Sequence, residues 1–149
     1  MKTILLSLML ALTISGCATA DDSQMPLFQT YTKYTALVDK DNVLTIADRY
    51  FSPSLLGEDY KNNPGASSQL LFHKLMAEKV NHRELVTGQH GCLSINGYDE
   101  GKEPLTFSLA YMQLDDAWLI AQIHVVFLEN ESDFPDVATC PDAYSLDPV

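Results

Sequence analysis

The sequence predicts an α+β domain, with N-terminal helices packed on a curved antiparallel sheet. Three observations predict it. Apolar residues recur at helical spacing from Leu27 to Val38. From Leu105 to Tyr111 the apolar period becomes two. An Asp115-Asp116 pair then reverses the chain and an apolar run returns. Helices first and an antiparallel hairpin last is the α+β order.

In PLFQTYTKYTALVDK, Leu27, Tyr31, Tyr34 and Val38 follow at four, three and four residues, which puts one apolar stripe on a helix. Asp41 or Asn42 can cap a second helix, NVLTIADRYFS, with Val43, Ala47 and Tyr50 on one face and Leu44 and Phe51 beside it. Pro53 stops it, because the residue before proline avoids the α region. SPSLLGEDYKNNPGASS reads as turns. A third helix is expected from Ser67 or Ser68 to about Val80, carrying Leu71, Phe72, Leu75 and Met76. RELVTGQHGCLSINGYDEG holds one or two strands broken by Gly88 and Gly91. PLTFSLAYMQL alternates, with Leu105, Phe107, Leu109 and Tyr111 on one face and Thr106, Ser108 and Ala110 on the other. WLIAQIHVVFLE returns as the second arm of the hairpin. It is apolar on both faces, so a central, covered strand is expected. Beyond Glu129 three prolines and no period predict an irregular tail.

Residues Ile4–Ile14 form an apolar run of about eleven residues, the length of a secretory h-region and half a membrane span. It ends in Ile14-Ser15-Gly16-Cys17. Those four residues resemble the bacterial lipoprotein lipobox, an aliphatic residue, two small residues and a cysteine. The resemblance implies cleavage between Gly16 and Cys17 and acylation of the Cys17 thiol. Acyl chains contribute about 0.8 kcal/mol per buried CH₂, and two or more give stable anchoring. Ala18 in place of aspartate implies the periplasmic face of an outer membrane. The chain then divides into a leader (1–16), a lipidated tether (17–26) and one domain with its tail (27–149).

The chain has 9 Lys+Arg against 20 Asp+Glu. Losing Lys2 with the leader leaves a net charge near −12 (eight basic residues against twenty acidic). Such a surface repels nucleic acid and anionic membranes. With Cys17 assigned to lipid, Cys92 and Cys140 remain, and in an oxidising compartment they are most simply a disulfide. It would close a loop of about fifty residues, worth about 3–4 kcal/mol, and pin the tail. The alternative, a metal or redox pair, lacks a C-x-x-C or a nearby histidine pair.

The aromatic first helix (Phe28, Tyr31, Tyr34), the next helix ending in Tyr50-Phe51 and the closing LDDAWLIAQIHVVF together resemble the cystatin-like cone of the nuclear transport factor 2-like superfamily. The stretch 52–80 is long for that family and departs from its pattern. A generic helix-on-sheet sandwich is the competing fold. In a cone, inward residues of the long strands line a pocket, so Gln122 and His124 with Tyr111 or Tyr98 become its candidate polar lining. The bland alternative for His124 is a core or edge histidine satisfied locally. Some members of the superfamily are isomerases or dehydratases that pair an acid with a tyrosine. Here Asp48, Asp115 and Asp116 fall in turns and helix ends, which counts against transferring that chemistry.

His73, His82 and His90 are scattered without ligand spacing. Asp39-Lys40-Asp41-Asn42 lacks the glycine and closing glutamate of a calcium loop. No catalytic or phosphate-binding signature is present. No cofactor and no metal are therefore expected. Trp118 reads as a core plug, and Tyr60 and Tyr98 as loop tyrosines. The expectation is a lipid-anchored, non-enzymatic envelope domain that binds a protein partner or ligand. The alternatives are a pocketed cone with ligand-binding or weak isomerase- or hydrolase-type activity around His124, and an immunity- or inhibitor-type lipoprotein masking a basic enzyme.

Overall fold

The computed structural model describes residues 26–143. The leader, Gly16, Cys17 and nearly all of the tether lie outside the described residues. The helical half comprises α1 (Pro26–Leu37), α2 (Val43–Ile46) with a 3-10 turn over Ala47–Arg49, α3 (Pro53–Leu56) and α4 (Ala66–Leu70), with further 3-10 turns at Tyr60–Asn62 and Phe72–Leu75. The second half is β1 (Glu78–Thr87), β2 (His90–Tyr98), β3 (Pro104–Leu114) and β4 (Ala117–Phe127). All neighbours are antiparallel and the order is β1-β2-β3-β4, a simple meander. The α+β class is therefore as the sequence predicts.

Helix α1 begins on Pro26, whose missing N–H costs nothing at a helix start. Its stripe is the expected one: Leu27, Tyr31, Tyr34 and Val38 are all buried. The helix start is capped from the sheet. Glu84 on β1 accepts the Phe28 backbone N–H at 3.0 Å, placing a carboxylate where the helix dipole favours one. Asn42 is the N-cap residue of α2 but makes no cap bond there. Its amide donates to the Leu37 carbonyl at 2.9 Å, so it closes the end of α1 instead.

The core lies between the helices and one face of the sheet. Leu93 and Ile95 of β2, Leu105, Phe107, Leu109 and Tyr111 of β3, and Ile120 of β4 are all buried against Tyr34, Phe51 and Phe72. Tyr34 is the hub. Its ring meets Phe51 edge-on at 5.2 Å and stacks on Phe72 at 6.1 Å, while its hydroxyl donates to the Leu70 carbonyl. Such pairs add about 0.5–1.5 kcal/mol each beyond area burial. Gly91 is part of β2 rather than a break in it, paired with Val86 and Tyr111. A Cβ there would sit 2.6 Å from Leu27 Cδ1, so the glycine lets α1 rest on the sheet. Gly88 does break the chain, as the turn between β1 and β2, with φ at 60°.

Alternation sends the other side chains of β2 and β3 to the opposite face. There Ser94, Asn96, Thr106 and Ser108 are buried although polar. The tail covers them. The Thr139 amide donates to Ser94 Oγ at 2.9 Å, and Thr139 Oγ1 lies 3.1 Å from Ser94 Oγ and 3.3 Å from Ser108 Oγ. Asn96 donates to the Pro135 carbonyl at 3.2 Å and Arg83 to that of Asp136 at 3.0 Å. A Cys92–Cys140 disulfide joins tail to β2, with Cα atoms 5.1 Å apart. The tail is irregular as expected, apart from 3-10 turns at Glu131–Asp133 and Pro141–Ala143.

Three expectations need correction. The third helix does not reach Val80. Residues 66–75 make two short turns, and Glu78 and Lys79 already pair with Tyr98 and Gly97 in β1, with Val80 at a bulge, because strand partners outweigh a short helical period. Pro53 ends one helix but starts another, with Ser52 Oγ accepting the Leu55 N–H at 3.2 Å as the N-cap. Strand β4 is an edge of the sheet, not central. Its outer edge meets Tyr50–Ser52, through Ile120 N–H to the Tyr50 carbonyl (2.7 Å) and Ser52 N–H to the Ile120 carbonyl (2.9 Å). Leu119 and Ile120 are its buried residues, whereas Ala117, Gln122 and Phe127 are exposed and the others half-buried.

Candidate functional site

The pairing of Tyr50–Ser52 with β4 decides where a concavity forms. It swings α3 beside the end of the β3–β4 hairpin and leaves a cleft of about 310 Å³ between them. Phe51, Pro53, Leu56, Tyr60, Leu114 and Leu119 supply apolar walls, and Asp48 and Glu58 stand at the rim. Each wall has a local cause. Asp115 and Asp116 both adopt positive φ (48° and 63°), the tight two-residue turn that pairs Leu114 with Ala117 and Met112 with Leu119, so that Leu114 and Leu119 lie diagonally on one face. Tyr60 is held by its hydroxyl, which donates to the Leu44 carbonyl at 3.3 Å. Leu114 remains 42 % exposed at the lip, open to a ligand. Both acids are exposed.

Tyr111, Gln122 and His124 do not converge. Tyr111 points into the helix-side core and is fully buried. Gln122 pairs with Ala110 and His124 with Ser108, so both share the opposite, tail-side face. A bulge in β4 opposite Ala110 and Tyr111 shifts the register without bringing Tyr111 round. Gln122 and His124 line an open depression with Leu55, Ile123, Pro141 and Asp142. The Tyr111 hydroxyl has no hydrogen-bond partner among the described residues, and burial first, then Tyr31, Glu84 and Tyr34, push its ionisation well above the ordinary phenol range. A phenol so placed is a core group, not a ligand-orienting one. Oε1 of Glu84 is likewise buried without a hydrogen-bond partner.

The histidines remain apart. His82 stacks on Phe28 at 3.6 Å. His73 Nδ1 lies 3.3 Å from the Tyr34 hydroxyl. Burial first, then Lys74 and Lys79, lower its pKa to about 4. His90 is exposed at the start of β2. Among the described residues no group of three or more His, Cys, Asp or Glu is placed to hold a metal. Trp118 is half-buried against the core. Tyr98 meets Phe134 of the tail at 5.9 Å.

Of the cleft residues, the sequence singled out Asp48 as an acid and Tyr60 as a loop tyrosine, but not Glu58, Leu56, Leu114 or Leu119 as lining. A signal for α3 existed: Ser52-Pro53 followed by Gly57 is a cap, a first-turn proline and a terminal glycine. Reading that segment only as turns hid the wall it builds. Compared with known proteins, the chain matches no family model and no curated protein at significant similarity.

Proposed function

We propose that the protein is a lipid-anchored envelope protein whose single α+β domain binds a partner in the cleft between α3 and the β3–β4 hairpin. The cleft carries the reading: an apolar concavity with a few polar groups at its rim is the default form of a binding site. The membrane address rests on Ile14-Ser15-Gly16-Cys17, and the outer membrane on Ala18. Pro26 starts α1 nine residues beyond Cys17, so residues 18–25 serve as the leash between lipid and fold. A tail disulfide suits an oxidising compartment. The resemblance to a cystatin-like cone draws support from α1 lying across an antiparallel meander that ends in the long β3–β4 hairpin.

The reading is non-enzymatic, with the acidic body turned to a basic partner. An immunity- or inhibitor-type role is the second reading, favoured by the carboxylates Asp48 and Glu58 at the same cleft. The experiment combines two variants in the native host. Cys17→Ala should leave the precursor uncleaved and unlabelled by radioactive palmitate. Leu114→Glu should leave anchoring intact but lose the protein that wild type captures from its own membrane. Normal palmitate labelling of Cys17→Ala would refute the anchor. Undiminished capture by Leu114→Glu would refute the cleft.

A further inference from the structure

We propose that the cleft takes a large apolar side chain followed by a lysine or arginine, presented by an extended basic segment of a partner protein; this rests on the cleft being the binding site. The floor is apolar and comes from three separate elements: Phe51 at the bridge, Pro53 and Leu56 on α3, and Leu119 on β4. At about 310 Å³ it lies at the small end of ligand pockets, suited to one or two side chains rather than to a bulky cofactor.

The two charged groups in its lining are both carboxylates, and they approach from opposite ends of α3. Asp48 precedes the bridge and Glu58 follows the helix. Lysine and arginine are missing from the lining, and the nearby Lys61 ammonium is engaged on the Tyr60 ring, 5.6 Å from its centroid. The ion pair formed among the described residues is Lys102–Glu78, so neither Asp48 nor Glu58 is neutralised by one. An apolar group in the cleft with a cation beside it satisfies both the floor and the rim, whereas an anion meets two like charges. Residues 18–25 and 144–149 do not match that occupant. Residues 18–25 carry Asp21 and Asp22, and residues 144–149 carry Asp147, without a lysine or arginine in either. A second copy is disfavoured by like-charge repulsion between chains of net charge −11.

The test uses the full acylated protein in phosphatidylcholine vesicles and three blocked tetrapeptides, Gly-X-Lys-Gly, Gly-X-Gln-Gly and Gly-X-Glu-Gly, where X is a photoreactive diazirine leucine. Crosslinks are mapped by mass spectrometry. The expected result is crosslinking to Leu114, Leu119 or Tyr60 in the order Lys, Gln, Glu, with the lysine peptide ahead of the glutamine peptide by about fivefold, as two exposed carboxylates a few ångströms away allow. That lead should vanish in the Asp48→Asn, Glu58→Gln double variant and at ~0.5 M salt, where screening acts over about 4 Å. The glutamine peptide should be unaffected by either change. Equal yields for all three peptides in the cleft would overturn the charge preference while leaving the cleft as a binding site. Failure of every peptide to label it would overturn the cleft as well.

Discussion

Replacing Cys140 with serine isolates what the tail contributes. Cys140 is exposed, so a serine there creates no core cavity, and Cys92 keeps its place on β2. The disulfide closes a loop with a sequence separation of 48. In the chain-entropy model, opening such a loop costs about 4 kcal/mol, and native strain or residual structure in the unfolded chain commonly brings this to about 3. The face beneath the tail is polar: Ser94, Asn96 and Ser108 can exchange their tail partners for water at little cost, and Thr106 donates to Asn96 within the sheet. The helix-side core does not depend on the tail. We therefore expect Cys140→Ser to fold, to lose about 3–4 kcal/mol in urea unfolding with a steeper slope, because the unlinked unfolded chain exposes more surface, and to lose amide protection first at Thr139, whose N–H is held by Ser94 Oγ. A stability loss below about 1 kcal/mol with Thr139 still protected would refute the reasoning, since the hydrogen bonds alone would then hold the tail.

Tyr111→Phe should leave stability unchanged or raise it by about 1 kcal/mol, because it removes a fully buried hydroxyl that has no hydrogen-bond partner. A loss above ~1 kcal/mol on thermal unfolding would show that the hydroxyl is satisfied in solution. The His73 pKa is lowered to about 4 in the fold against 6.5 unfolded. The unfolded chain therefore binds the proton first, so stability is full above pH 6.5 and declines as pH falls towards 4. Discounting the shift for a half-exposed ring leaves about 1–2 kcal/mol. His73→Gln should flatten the pH dependence of the urea midpoint between pH 7 and 4, and an identical slope in variant and wild type would exclude His73 as its source.

Wherever one side chain period governed burial, the fold was legible in the sequence. The α1 stripe of Leu27, Tyr31, Tyr34 and Val38, the alternation from Leu105 to Tyr111 and the Asp115-Asp116 turn all appear where the residues predict them. Legibility failed where periods are too short to dominate. Residues 52–75 form several one-turn pieces, each specified by a cap, a proline or a glycine rather than by an apolar repeat. That stretch builds one wall of the cleft, so the site was lost with it. His124 misled for another reason: a strand pattern tells which residues share a face but not what covers that face.

By itself, the sequence determined the α+β order, the pairing of Cys92 with Cys140 and the acidity of the chain. These follow from local period, residue count and charge, which need no distant contacts. Only the tertiary structure decided that β4 is an edge, that Tyr111 and His124 lie on opposite faces, and that Tyr50–Ser52 docks on Ile120 to open a cleft beside Leu114. Those depend on which backbone groups find partners far along the chain. A hydrogen bond between Ser52 and Ile120 spans residues whose local sequences carry no mark of each other.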